Sequence, residues 1–230
     1  MKIVIIGDYN PDYPPHPATT KSLEHIRDKH GYHMQIEWLG TEKLNKPFES
    51  VFSNADAIWL GPAPYVNNPG VRMALTYIRT KNLPFIGTCG GMYQAVAEFF
   101  ISQMNFDETY VEYQDDVGNE HLFLSDSSCP AHGFKVVRFK TIENTKARTI
   151  YPTIDCEEDS NCGFIVNQRY HPLFAAHNFI ISGVDTNQEA KIFELTANKF
   201  YVVTKFLPQM RSTPDQPHPM VEAFVKEGSA

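Results

Sequence analysis

The run Gly87-Thr88-Cys89-Gly90-Gly91 sets a cysteine among glycines, after an apolar strand pattern and before an apolar helical one. That order suits a nucleophile elbow. The central residue takes a strained backbone conformation, and neighbours without side chains let the turn close. A helix starting there lowers the pKa of the thiol. Its backbone N–H groups, that of Gly90 first, can hold a developing oxyanion. Two readings stay open on these residues alone: a displayed nucleophile, or a small buried side chain in a tight turn.

The surrounding pattern says what would position such a residue. Lys2–Gly7 reads as a strand, Thr19–Lys29 as a helix with Leu23 and Ile26 on one face, and Met34–Gly40 and Ala57–Gly61 as strands. A helix is expected over Gly70–Lys81, a strand over Pro84–Cys89 and a helix over Gly91–Gln103. Continuous apolar strands alternating with helices predict a three-layer αβα fold around a mostly parallel, doubly wound sheet. Such a sheet puts Cys89 at its carboxyl edge, where ligands of this class bind. In the second half, strand patterns at 134–140, 164–167, 178–185, 191–196 and 199–207 follow closely, so some should pair antiparallel. His218–Gly228 reads as a closing helix. The polar stretches Phe106–Cys129 and Asn144–Cys162 read as irregular surface segments.

Composition excludes several functions. The 230 residues fit a single domain over 1–230, and 42% hydrophobic residues suffice for a substantial core. A net charge of −7 argues against a nucleic-acid surface. No apolar run approaches a membrane span. The four cysteines, Cys89, Cys129, Cys156 and Cys162, show neither C-x-x-C spacing nor a disulfide framework, so a reducing cytoplasmic setting is expected. The last three read as ordinary thiols in loops or strand ends. Nine histidines show no H-x-x-x-H pair, so no metal is expected. No cofactor is indicated.

These residues bring the chain to a resemblance. "GTCGGMY" resembles the G-I-C-L-G-M-Q elbow of the glutamine amidotransferase domain of CTP synthases, a class I (triad) amidotransferase with a flavodoxin-like sheet. "MKIVIIGDYN…TTKSLEHI" resembles that domain's opening strand, loop and helix. "DAIWLG" resembles the strand before its oxyanion loop. "FIVN" and "FIISGVD…KIFEL" resemble its "YEVN" segment and the strands after it, and "KFLPQMRSTPDQPHPMVEAFV" its closing segment. The match runs through nearly the whole chain in order. The synthase domain that precedes this domain in CTP synthases is not part of it.

The resemblance also marks departures. The family's triad is Cys, His and Glu, the last two in H-P-E. Carried across, these fall on Cys89, Leu207 and Gln209. Leucine moves no proton, and glutamine cannot balance an imidazolium. The elbow glutamine becomes Tyr93. The oxyanion loop becomes Gly61-Pro62-Ala63-Pro64, where Pro62 has no N–H and Gly61 is the expected donor. Gly163 replaces the arginine expected to hold a glutamine carboxylate. Another base would then be needed. His16, in the proline-rich loop with Tyr9 and Asp12, is the first choice by topology, ahead of His171, His121 and His132.

Two functions follow. In one, Cys89 attacks an amide or related acyl group, with glutamine itself disfavoured, and ammonia delivery would need a separate synthase subunit. In the other, a small amide or glutamine-like ligand is bound without turnover by a regulatory protein. Thiol or redox chemistry at Cys89 is a third possibility. A homo-oligomer is compatible with each; nucleic acid and membrane are not expected partners.

Overall fold

The computed structural model describes residues 1–45, 47–110, 123–126 and 133–230. The first half alternates strand and helix. It runs β1 (Lys2–Ile6), α1 (Pro15–His30), β2 (Gln35–Leu39), α2 (Phe48–Val51), β3 (Ala57–Leu60), α3 (Asn68–Thr80), β4 (Phe85–Thr88) and α4 (Gly90–Met104). The second half holds β5 (Leu124–Asp126), β6 (Lys135–Thr141), α5 (Lys146–Ile150), β7 (Asp155–Ser160), β8 (Phe164–Val166) and α6 (His171–Ala176). β9 (Phe179–Val184), β10 (Ala190–Leu195), β11 (Tyr201–Thr204) and α7 (Pro219–Gly228) close it.

Among the described residues nine strands form one sheet, in the order β2-β1-β3-β4-β11-β10-β9-β6-β7. β2, β1, β3, β4 and β11 run parallel. From β11 outward each pairing is antiparallel. β5 and β8 make a separate two-stranded ladder. One face of the main sheet is covered by α3, α4 and α6 through Leu75, Ile78, Val96, Phe100 and Phe174. The other is covered by α1 and α7 through Leu23, Ile26, Val221 and Phe224. This is the expected three-layer arrangement, with both faces of the central parallel strands β1, β3, β4 and β11 buried. No helix among the described residues is long and apolar enough to cross a membrane.

Two expectations about elements need correction. Helix α1 starts at Pro15, four residues before the predicted Thr19. Prolines are tolerated in a helix's first turn because the N–H they lack has no acceptor there. His16 therefore lies on a helix and not in a loop. The stretch 144–162 is also not irregular, since it supplies α5 and the edge strand β7. β7 reads "DCEEDS", a composition of poor strand formers. It is held by register-matched pairing to β6, with ion pairs Arg138–Glu157 at 2.6 Å and Lys140–Asp155 at 3.6 Å. The stretch 106–129 lies largely outside the described residues.

Candidate functional site

The β4–α4 turn is built as an elbow. Cys89 has φ 54° and ψ −114°, a conformation that costs a non-glycine residue on the order of 1–3 kcal/mol. Its N–H donates to the Thr204 carbonyl at 2.8 Å, pinning the turn to the end of β11. The glycines allow close approach. A Cβ on Gly91 would stand 2.4 Å from the Leu60 carbonyl oxygen, and one on Gly90 2.4 Å from Ala63 Cβ and 2.7 Å from Ala63 N. The start of α4 is thus pressed onto the end of β3 and the loop after it.

The oxyanion donors differ from the expectation. Gly61 N–H is committed to the Ile6 carbonyl at 3.0 Å, continuing the β1–β3 ladder, so it has no hydrogen left for a substrate. Pro62 has none to give. Ala63, which the sequence reading passed over, brings its backbone nitrogen against Gly90. Among the described residues its N–H has no backbone acceptor. Gly90 N–H hydrogen-bonds the Cys89 sulfur and favours its ionised form. The loop is braced by Tyr65, whose hydroxyl donates to Gly61 O, and by Asp8, which accepts from Val66 N–H and from both Thr41 donors at 2.7 Å.

The Cys89 side chain is buried, 7% exposed, in contact with Cys162 and Leu207, with Tyr93 and Met210 packed around them. Leu207 is fully buried, and its N–H is held by Asp159 O at 2.8 Å. Gln209 is 2% exposed, and neither its Oε1 nor its Nε2 has a hydrogen-bond partner among the described residues.

Cys162 is not the ordinary thiol expected. It follows β7, lies 8% exposed, and packs in one buried cluster with Cys89 and Leu207. As a thiol it donates to Tyr93 Oη at 3.1 Å, while the Tyr93 hydroxyl donates to Phe164 O. The two sulfurs share a proton, so the first ionisation of the pair is favoured and the second opposed. Cys162 is brought down to about 6 by the hydrogen bond from Cys89, aided by Tyr93, the Phe164 backbone and the Lys205 charge against the opposing effect of burial. Cys89 is raised well above the usual thiol value by that hydrogen bond and by burial. Gly163 follows Cys162 directly, so the structure brings Cys89, Gly90, Tyr93, Cys162, Gly163 and Leu207 together.

Sequence reading missed Lys205 as well. It leaves the end of β11, is 2% exposed, and lies 3.8 Å from Glu189 Oε2. Burial and the nearby Lys191 lower its pKa to about 8, while Glu189 and Cys162 oppose them. Its charge acts on both cysteines. The signal that could have found it is an apolar strand ending in a lysine at the edge where the elbow opens. Tyr13 also borders the site, hydrogen-bonded to Asn161.

Among the described residues no expected base stands beside Cys89. His16 is fully buried; its Nδ1 accepts from Asn10 N–H at 2.9 Å, and its Nε2 donates to Pro62 O at 3.2 Å. Both nitrogens are occupied, and burial lowers its pKa, so it is a neutral clasp between two loops. His171 Nε2 lies 3.2 Å from Val166 O, and its ring meets Phe193 edge-on. His121 and His132 lie outside the described residues. A buried imidazole–carboxylate pair does exist, His218 Nε2 to Glu158 Oε1 at 2.6 Å, but His218 Nδ1 accepts from Met220 N–H and caps α7. Among the described residues no imidazole or carboxylate hydrogen-bonds Cys89, and no cluster of His, Cys, Asp and Glu could hold a metal ion.

No protein-family model matches the chain. It is similar to CTP synthases over nearly all of its length. It is 26% identical to that of Caldanaerobacter subterraneus subsp. tengcongensis over 238 residues, 98% of this chain and 44% of the relative. It is 27% identical to that of Methanococcus maripaludis over 249 residues, 98% of this chain and 45% of the relative. The chain therefore spans less than half the length of these relatives. Among solved structures, the glutaminase domain of Trypanosoma brucei CTPS with bound acivicin superposes with a TM-score of 0.86 at 19% identity. That match covers all of this chain and 94% of the other. A glutamine amidotransferase from Thermotoga maritima gives 0.57 at 12% identity, covering 99% and 96%. The similarity is to class I glutamine amidotransferases of the CTP synthase type, and the fold is theirs.

Proposed function

We propose that this chain is a CTP-synthase-like amidotransferase domain that no longer hydrolyses glutamine and serves as a binding or regulatory protein for a small amide-type ligand in the cytoplasm. The observation that carries this reading is Leu207, fully buried against Cys89. Triad hydrolysis needs one group to take the thiol proton and return it to departing ammonia. Leucine does neither, the glutamine two residues on is orphaned, and His16 is engaged elsewhere. Gly163, beside Cys162, offers no cation for an α-carboxylate, so the ligand favoured is an amide other than free glutamine. Ammonia delivery to a separate synthase polypeptide is not expected.

A second reading is favoured by one observation. Cys89 keeps its strained φ of 54° and a hydrogen bond from Gly90 N–H, features a passive wall does not require. Under it Cys89 attacks an amide or acyl carbon, and the N–H groups of Gly90 and Ala63 receive the oxyanion. Ammonia release from glutamine and a panel of other amides, with Cys89→Ser as control, separates the readings. The binding reading expects no Cys89-dependent ammonia from any of them and a raised melting temperature with at least one amide. Cys89-dependent release from a non-glutamine amide supports the second reading, and release from glutamine overturns both.

A further inference from the structure

We infer that Cys89 and Cys162 form a redox couple, a dithiol that a hydroperoxide converts to a disulfide and a thiol reductant restores. This does not rest on the proposed loss of glutamine hydrolysis. Three observations carry it. The two sulfurs come from distant parts of the chain, the elbow and the turn after β7, yet the two side chains pack in one buried cluster. They are enclosed by Leu207, Tyr93 and Met210, which leave each cysteine only 7–8% exposed. A gap of that size favours a small oxidant over a bulky one. Finally, one sulfur can ionise cheaply: Cys162 receives a hydrogen bond from Cys89, lies 3.1 Å from the Tyr93 hydroxyl, and feels the Lys205 charge. The thiolate is the form that attacks peroxide.

The Cys162 thiolate attacks one oxygen of the hydroperoxide, an S–O bond forms, the O–O bond breaks, and the leaving oxygen takes a proton to become water or an alcohol. Cys162 is now a sulfenic acid. The Cys89 sulfur attacks it, the S–S bond forms, the S–O bond breaks, and hydroxide leaves as water with the Cys89 proton. Two thiols and one hydroperoxide give one disulfide and two hydroxyl products. The sulfurs must close to about 2.05 Å. A dithiol reductant reverses the change by exchange, becoming a disulfide itself. Oxidation would lock the Cys162–Gly163 turn onto the elbow and remove the Cys89 nucleophile.

The test treats the full chain with hydrogen peroxide at neutral pH, stops it with an alkylating agent and maps the cysteines by peptide mass. The expected product is a Cys89–Cys162 bridge that a dithiol reverses, with Cys156 still alkylatable after unfolding. Cys89→Ser should stop at a sulfenic acid on Cys162 that a cyclic diketone traps. Cys162→Ser should slow oxidation at Cys89 by tenfold or more, on the order expected when the readily ionised sulfur is lost. Tyr93→Phe should slow bridge formation by roughly three- to tenfold, the worth of the hydrogen bond the Tyr93 hydroxyl gives when it turns from Phe164 O to the Cys162 thiolate. Near-ultraviolet circular dichroism of each variant reports whether it is folded. A bridge through Cys129 or Cys156, or oxidation of Cys89 and Cys162 no faster than Cys156, would overturn the inference.

Discussion

The Leu207 side chain packs against Cys89 with no exposure to solvent. The side of Cys89 that Leu207 covers is therefore an apolar wall, with no group that can move a proton. Leu207→His should lower stability by about 1–3 kcal/mol, because it buries an imidazole without a partner. Adding Gln209→Glu supplies a carboxylate two residues away, and the double variant should recover part of that loss. A coupling of about 1–3 kcal/mol between the two substitutions, read from urea unfolding, would show that the two positions still face each other. Additive effects would show that the backbone has drifted too far for a triad to be rebuilt.

Gln209 alone gives a simpler expectation. Its amide is buried, and both of its polar atoms lack partners among the described residues. Replacing a desolvated, unpartnered amide with a thioether of similar volume removes the penalty. Gln209→Met should therefore raise stability by about 1–2 kcal/mol in a denaturant titration. An unchanged or lowered midpoint would mean that the amide is satisfied in solution.

How much of this was legible follows from sequence distance. The elbow could be read because strand, glycines, cysteine and helix are contiguous, and Leu207 and Gln209 draw notice only because the closing segment resembles a known motif. The role of Cys162 could not. It depends on β7 reaching the sheet through pairing with β6, and β7 is a run of acidic residues with no strand signature of its own. Lys205 carries no signal for the opposite reason: it lies inside an apolar segment whose pattern reads as packing alone. His16, expected in a loop, lies in the first turn of α1. Its buried partners, Asn10 and Pro62, decide that it fastens loops and does not accept protons from Cys89.

The thiols should separate by pH. Cys162 is brought down to about 6 and Cys156, buried beside Glu158, is pushed up to about 11. Alkylation of the native chain across pH 5–9 should therefore label Cys162 with a midpoint well below that of a free thiol and leave Cys156 unlabelled. Linkage gives the matching sign. A thiol with a lowered folded pKa contributes stability above its unfolded value near 9, and that contribution is lost as pH falls through about 6. Cys162→Ser should flatten the stability profile between those values. Equal labelling of both cysteines at neutral pH would contradict the assignment.

His16 has the same sign at lower pH. Its pKa is lowered from 6.5 by burial, so the folded state binds the proton less readily than the unfolded one. Its stabilising contribution is present above the unfolded value and is lost as pH falls toward the folded one. His16→Ala should cost about 2–3 kcal/mol at pH 8, from two lost hydrogen bonds and a cavity beside Trp38, and less at pH 5. Thermal or urea unfolding at the two pH values checks it. A cost that grows toward acid would mean that His16 is charged in the fold.

Gly90 and Gly91 should differ although they are neighbours in one helix. An alanine in a helix is intrinsically favoured over glycine by about 1 kcal/mol, so any loss must come from contacts. At Gly91 the new methyl would stand 2.4 Å from the Leu60 carbonyl oxygen, which ends a central strand and cannot retreat without disturbing the sheet. Gly91→Ala should cost about 1–3 kcal/mol, or more where the backbone must move. At Gly90 the methyl would meet Ala63, in a loop braced by side chains and not by strand pairing, so the loop can yield. Gly90→Ala should lose less stability but push the Ala63 N–H away from the elbow. It should therefore change the alkylation rate of Cys89 more than Gly91→Ala changes it per unit of lost stability. Equal effects of the two substitutions on both readouts would show that Ala63 is not part of the site.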